Sequence, residues 1–333
     1  MTTAVPVIDL TRIDDPDARG RVAEVAGEID RACRETGFFS VIGHGISSEL
    51  FDRLDASARA FFALPEGTKA AIAMPVAGRA WRGWFPLGGE VTNGVPDRKE
   101  GIYFGEQLND TDPRVAAGLP LHGRNLFPAD VPALRADVLE WITALTGLGH
   151  RLMSLIGVGL GLPDDWFRTH LTADPTVLFR IFHYPDNAAP TVTGAGAWGV
   201  AEHTDYGLLT MLAQDDRGGL QVRARSGWVD VEPVANSFVC NIGDMLERMT
   251  GGRYRSTPHR VRNTSGRDRL SFPFFFDPSW DAHVEPLPLA DEADEADGSA
   301  RWDGRSVFDF DGTYGEYLVE RVGKVFPDLV HVI

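Results

Sequence analysis

His203-Thr204-Asp205, with His259 further along the chain, is the group of residues best suited to do chemistry. Two imidazoles and one carboxylate can occupy one face of a metal ion and leave the opposite face open. Side chains on an extended strand alternate between its two faces, so residues two apart share one. His203 and Asp205 are therefore expected to point the same way, roughly 7 Å apart along the backbone. A third ligand must come from elsewhere in the fold, and His259 is the candidate. This donor set with open positions fits mononuclear non-heme Fe(II). Zn(II) accepts the same donors, so zinc hydrolysis is a competing chemistry.

Beyond His259 come Arg269 and Ser271, a second pair two residues apart. A guanidinium offers a planar two-pronged fork to a carboxylate, and a hydroxyl adds one more donor. A hydrogen bond to a charged group contributes about 1.5–3 kcal/mol, enough to fix the orientation of an acidic cosubstrate. An arginine in an ordinary structural ion pair is the alternative for Arg269 taken alone.

These residues need a scaffold. Val5 to Leu10 reads as a short strand, Asp15 to Thr36 as a helix stopped by Gly37, and Phe38 to Ile42 as an apolar strand. Ser47 or Ser48 is placed to cap a helix running to about Phe62. Arg79 to Phe104 is rich in Gly and Pro and reads as loop. A long helix is expected over about Val131 to Ile156, with Asp130 as N-cap and Pro132 in the first turn. Its end, Gly157-Val-Gly159-Leu-Gly161, lacks the spacing of a dinucleotide loop.

From about Thr176 the apolar period shortens towards two. Val177 to Tyr184 reads as a strand, a loop follows around Pro190 to Gly199, and further strands are expected near 208–214, 219–224, 228–233 and 237–241. Another strand pair flanks the turn Asn263 to Gly266. A last helix over about Tyr314 to Phe326 is placed to close one end, and the acidic run Asp291 to Asp297 reads as a solvated loop. The expected fold is mainly β with flanking helices: a double-stranded β-helix, or distorted jelly roll, behind a helical N-terminal region. The expected organisation is a mixed α/β region over 1–125, a spine-helix region over 126–170, the jelly-roll core over 171–285, and an acidic loop with C-terminal helix over 286–333.

The chain of 333 residues is 43% hydrophobic and 24% charged, the balance of a globular protein. A net charge of −16 without a basic stripe argues against a nucleic-acid partner. No apolar run approaches the ~20 residues that span a bilayer, so no membrane association is expected. Cys33 and Cys240 form no disulfide framework, and a cytoplasmic location is the expectation.

Several ordered blocks resemble the isopenicillin N synthase-like family, which comprises mostly 2-oxoglutarate-dependent Fe(II) oxygenases. They are His203-x-Asp205-x-Gly207 followed by Gly218-Gly219-Leu220-Gln221-Val222, then Asn241-Ile-Gly243-Asp244, Ser256-Thr-Pro-His259-Arg260-Val261, and Arg269-x-Ser271. Near the N-terminus, Pro6-Val-Ile-Asp9-Leu and Gly37-Phe-Phe-Ser-Val-Ile-Gly-His44-Gly45 match as well, so the resemblance covers most of the chain. It implies Fe(II) bound by His203, Asp205 and His259 as catalytic centre. It also implies 2-oxoglutarate held through its far carboxylate by Arg269 and Ser271, and dioxygen as the second cosubstrate. The reaction class it implies couples decarboxylation of 2-oxoglutarate to succinate with oxidation of a substrate C–H bond.

The block Arg180-Ile-Phe182-His-Tyr184-Pro185 resembles the family strand ending in Tyr-Pro. Tyr184 is the expected further contact to 2-oxoglutarate. Phe182 departs from the Asn that plant members often carry there. Arg180 fits a position that can face substrate. By the same resemblance Trp81 to Glu90, Trp84 in particular, the segment around Trp198, and Phe275 line the pocket. Together with Arg79 and Arg82, Arg180 favours a small carboxylate-bearing substrate, such as an amino acid or natural-product intermediate. Hydroxylation is the leading outcome, with desaturation, cyclisation and fragmentation of 2-oxoglutarate to ethylene left open. A 2-oxoglutarate-independent oxidase of the same family and a non-catalytic metal-binding jelly roll also remain open.

Overall fold

The computed structural model describes residues 5–14, 19–92, 94–186, 198–290 and 308–325. The acidic run 291–297 and most of the segment 190–199 lie outside these residues. In chain order the strands are β1 (Val7–Asp9), β2 (Phe38–Ile42), β3 (Gly83–Phe85), β4 (Val91–Thr92), β5 (Val95–Pro96), β6 (Glu100–Gly105) and β7 (Pro175–Tyr184). They continue as β8 (Val200–His203), β9 (Leu209–Gln214), β10 (Leu220–Ala224), β11 (Gly227–Asp230), β12 (Phe238–Ile242), β13 (His259–Val261) and β14 (Arg269–Ser279). The helices are α1 (Arg19–Glu35), α2 (Ser48–Phe62), α3 (Glu66–Lys69), α4 (Pro113–Ala116), α5 (Ala133–Gly159), α6 (Trp166–His170), α7 (Asp244–Met249) and α8 (Tyr314–Val325).

Two sheets make the jelly-roll core. The larger has the order β1-β2-β12-β9-β14-β7-β6-β3, and the smaller the order β11-β10-β13-β8. Every pairing within them is antiparallel except β1 with β2. Strands β1, β2, β3 and β6 from the first 125 residues are thus members of the same sheet as β7, β9, β12 and β14. Alternation gives the large sheet two different faces. Phe272, Phe274 and Phe276 of β14 point outward and are fully buried. The spine helix α5 supports the outer layer, where Trp141 meets Phe179 and Phe238 and His150 meets Phe276. Arg269, Ser271, Pro273, Phe275 and Asp277 of the same strand point inward and line a cavity of about 770 Å³ between the sheets.

Several boundaries differ from the sequence expectation. Helix α5 begins at Ala133, so Pro132 rather than Asp130 occupies the N-cap, without a side-chain cap bond. Ser47 caps α2 by accepting from Glu49 N at 3.1 Å. Part of the expected loop 79–104 is strand: β6 pairs with β7 over six residues and extends the large sheet. The strands on either side of Asn263 to Gly266 do not pair with each other, because β13 belongs to the small sheet and β14 to the large one.

Candidate active site

His203 ends β8, and His259 lies directly opposite it on β13. The third-ligand candidate is therefore a cross-strand neighbour, with ring centroids 4.2 Å apart. Asp205 lies two residues past the end of β8, so the expected strand alternation does not position it. Backbone contacts do so instead. Its carbonyl accepts from Asp244 N at 2.7 Å, where the chain enters α7. Gly207 and Gly243 allow that approach: a Cβ on Gly243 would run into the Gly207 backbone, and one on Gly207 into the Asp277 carboxylate. Asp205 Oδ2 accepts from Thr210 Oγ1 at 2.6 Å and from Asn241 Nδ2 at 2.7 Å. That leaves Oδ1 facing His203 Nε2 and His259 Nε2, each 3.8 Å away. Two metal bonds of ~2.1 Å can bridge at most about 4.2 Å across one ion, so these separations admit a single shared ion.

The protonation states suit metal binding. His203 Nδ1 donates to Ala201 O at 2.8 Å, and His259 Nδ1 donates to Thr257 O at 3.3 Å. Both Nε2 atoms then present lone pairs to the centre. Burial holds both imidazoles below the usual histidine range, and at His259 the neighbouring His203 adds to it. Burial pushes the Asp205 carboxyl up, but the neighbouring His259 and His203 and the bonds from Asn241 and Thr210 outweigh this and hold it low. A buried carboxylate between two neutral imidazoles is a cation site. Among the described residues it is the one cluster of three His, Cys, Asp or Glu side chains able to share an ion.

The inner face of the large sheet carries an anion grip. Arg269 is fully buried at the start of β14, opposite Tyr184 on β7. Its Nε donates to Gly218 O at 2.6 Å and its Nη2 to Gln214 Oε1 at 3.0 Å. The guanidinium stacks 4.8 Å from the Tyr184 ring centroid. Nη1 is buried and has no hydrogen-bond partner among the described residues. An unpaired buried charged donor is costly, and this one lies on the cavity that holds the His/Asp/His cluster. Ser271 Oγ donates to Tyr184 Oη at 3.3 Å, completing a polar patch of three side chains.

Arg180 and Phe275 also line the cavity. The Arg180 guanidinium sits between the rings of Tyr103 and Phe275, 4.3 and 4.7 Å from their centroids. Trp84 requires a correction. In the β3–β6 register it pairs with Ile102, on the outward face, and its Nε1 donates to Glu100 Oε2 at 2.8 Å. Trp81, before the strand, lines the cavity in its place. Arg82 does not face substrate either: it is buried and donates to the carbonyls of Glu106, Gly123 and Leu121, pinning two connections together. Arg79 is likewise absent from the cavity lining. Glu90, at the end of the expected pocket segment, lines the cavity, whereas sequence reasoning passed over Lys99 and Tyr103. The signal for Tyr103 was present in Glu100-Gly-Ile-Tyr-Phe-Gly105, a short apolar run that forms β6. His44 is a turn residue, accepting from Ile46 N through Nδ1, and His183 faces Glu100 on the outer side.

The geometry defines a class: a double-stranded β-helix with a facial His/Asp/His centre beside a buried guanidinium. Residues 5–130 match the family described as the N-terminal region of non-haem dioxygenases in morphine synthesis. Residues 175–278 match the 2OG-Fe(II) oxygenase superfamily. A probable iron/ascorbate oxidoreductase from Dictyostelium discoideum is 46% identical over 98% of this chain and 95% of its own. A homoarginine-6-hydroxylase from Arabidopsis thaliana is 37% identical over 97% and 98%. Among solved structures, a full-length Neurospora crassa protein in complex with α-ketoglutarate and thymine superposes with a TM-score of 0.80, at 26% identity over 96% of both chains. The chain belongs to the 2-oxoglutarate–Fe(II) oxygenase superfamily. It is a dioxygenase whose cofactor and cosubstrates are Fe(II), 2-oxoglutarate and dioxygen.

Proposed function

We propose that this enzyme hydroxylates a small carboxylate-bearing molecule, with an amino acid as the leading class. In this reading His203, Asp205 and His259 hold Fe(II). Arg269, Ser271 and Tyr184 hold the far carboxylate of 2-oxoglutarate, and Arg180 with Phe275 receives substrate. The observation that carries it is the buried Arg269 Nη1, without a partner among the described residues and on the same cavity as the cluster. A carboxylate there supplies the missing acceptor. When bound, Fe(II) and 2-oxoglutarate supply the oxidising chemistry, in which dioxygen is consumed and succinate and carbon dioxide are released.

The chain's own residues set position and environment. Asn241 and Thr210 fix Asp205 through Oδ2 and leave Oδ1 to the metal. The Tyr184 ring and the Gly218 carbonyl fix the plane of Arg269, so its free edge has one direction. Arg180 lies four residues before Tyr184 on β7, about 13 Å along the strand. Cosubstrate and substrate ends therefore share one inward face without overlapping. Phe182 and Phe275 present apolar surface to the same cavity. The Arabidopsis relative, by its name, hydroxylates an amino acid, which supports the substrate class. The test is a substrate library incubated with Fe(II), 2-oxoglutarate and dioxygen, with succinate as readout and mass spectrometry of products. A gain of one oxygen atom in a carboxylate-bearing compound is expected. Succinate coupled only to neutral compounds, or loss of two hydrogens in place of oxygen gain, contradicts it.

A further inference from the structure

Glu90 stands beside Arg180 on the wall of the cavity. Its Oε1 accepts from Tyr103 Oη at 2.7 Å and lies 3.7 Å from Arg180 Nη1, too far for a hydrogen bond. A closed Arg–carboxylate pair has N···O distances near 2.7–2.9 Å. The two groups are neighbours without being bonded. Arg180 Nε is buried without a hydrogen-bond partner among the described residues. On the far side of Glu90, Lys99 Nζ lies 2.7 Å from Oε2 and also contacts Asp97. Burial pushes the Glu90 carboxyl up, but the charges of Lys99 and Arg180 outweigh it and keep the group ionised.

Two cations, Lys99 and Arg180, thus face two carboxylates, Glu90 and Asp97, and their formal charges cancel. A bare carboxylate docking on Arg180 would add an uncompensated negative charge to a buried, already neutral cluster, which is costly. A ligand that brings its own cation avoids that cost. The α-ammonium and α-carboxylate of an amino acid are carried by one carbon, so a guanidinium and a carboxylate that are themselves adjacent can meet both.

We propose that Glu90 and Arg180 together form a subsite for a zwitterionic α-amino-acid head group, with Glu90 as the residue that selects for the ammonium. The carboxylate takes the unpartnered edge of Arg180, and the ammonium takes Glu90. Lys99 is a positioning residue that holds Glu90 in place. This rests on the assignment of the cavity as the substrate site of a 2-oxoglutarate oxygenase.

The test compares matched pairs on the anaerobic enzyme loaded with Fe(II) and 2-oxoglutarate: L-arginine with 5-guanidinopentanoate, L-norleucine with hexanoate, and L-phenylalanine with 3-phenylpropanoate. Binding is read by calorimetry and by perturbation of the visible Fe(II)–2-oxoglutarate absorption, without turnover. In at least one pair the amino acid should bind about 10-fold or more tightly, which is about 1.4 kcal/mol. Glu90→Gln should reduce that ratio below about 3-fold while the des-amino acid binds as before or better, and Glu90→Asp should restore part of it. Equal or tighter binding of the des-amino acid in every pair overturns the proposal, as does failure of every amino acid to bind. So does a ratio unchanged by Glu90→Gln. The 2-oxoglutarate absorption is the control: its presence with no amino-acid preference sinks the subsite alone, whereas its absence in the wild type sinks the underlying site assignment. If Glu90→Gln fails to fold, the wild-type ratios and Glu90→Asp decide.

Discussion

Asp205 divides its work between two oxygens, and the metal centre depends on that division. Oδ2 is tied to Thr210 and Asn241, and Oδ1 faces both imidazoles. His203→Ala or Asp205→Ala should abolish iron retention, measured by metal analysis after anaerobic dialysis; normal Fe(II) affinity in either variant contradicts the ligand assignment. Asn241→Ala removes only a support, so Fe(II) affinity should fall about 10- to 100-fold rather than vanish. An affinity equal to wild type would show that Thr210 alone suffices. Arg269→Gln should raise KM for 2-oxoglutarate about 10- to 100-fold and leave that for substrate nearly unchanged; the reverse pattern contradicts its role. These residues were legible because their types and spacing are rare in combination. The means of holding Asp205 was not, since strand alternation stops at His203 and the backbone bond to Asp244 joins residues far apart in sequence.

At the scale of elements, α8 is tied to the core strand β14 by Tyr314 Oη, which donates to Asp277 Oδ2 at 2.6 Å. The other oxygen of Asp277 accepts from Leu208 N at 2.9 Å. Burial pushes the Asp277 carboxyl up to about 7, against those two bonds. Between its unfolded value near 4 and about 7, the folded chain holds a proton that the unfolded chain has lost. The group's contribution to stability therefore falls as pH rises through that window and is fully lost above it. Asp277→Asn should flatten this part of the profile in the metal-free protein, read from urea midpoints between about pH 5 and 8. Parallel profiles for parent and variant would contradict the account. The long helices and most strands were readable from periodicity. Strand β6 was not, because glycines bracket its short apolar run and its pairing with β7 is a long-range contact. Trp84 was misplaced for the same reason: without the β3–β6 register, its face is undetermined.

For the whole molecule, the two sheets bring donors from opposite walls to one cavity. His203 and His259 come from the small sheet, and Arg269, Ser271, Tyr184 and Arg180 from the large one. Filling the cavity should then stabilise the entire fold. A ligand that binds only the folded chain contributes about 2.7 kcal/mol at 100 times its Kd. Fe(II) and 2-oxoglutarate should each raise the melting temperature, and Arg269→Gln should lose only the 2-oxoglutarate increment. Loss of both increments would mean that the variant damages the metal centre as well. The jelly-roll class was visible in the run of short strands after a helical half. The insertion of N-terminal strands β1, β2, β3 and β6 into the large sheet was not, since nothing local records which sheet a strand joins.

No helix among the described residues is long and apolar enough to cross a membrane. The central claim is that the His/Asp/His cluster and the Arg269 grip serve one reaction. It is tested most directly by titrating anaerobic protein with Fe(II) and then 2-oxoglutarate, admitting dioxygen, and measuring succinate. One Fe(II) and one 2-oxoglutarate per chain are expected, with succinate appearing only after dioxygen and not in Asp205→Ala. Fe(II) binding with neither 2-oxoglutarate binding nor succinate formation would contradict the account.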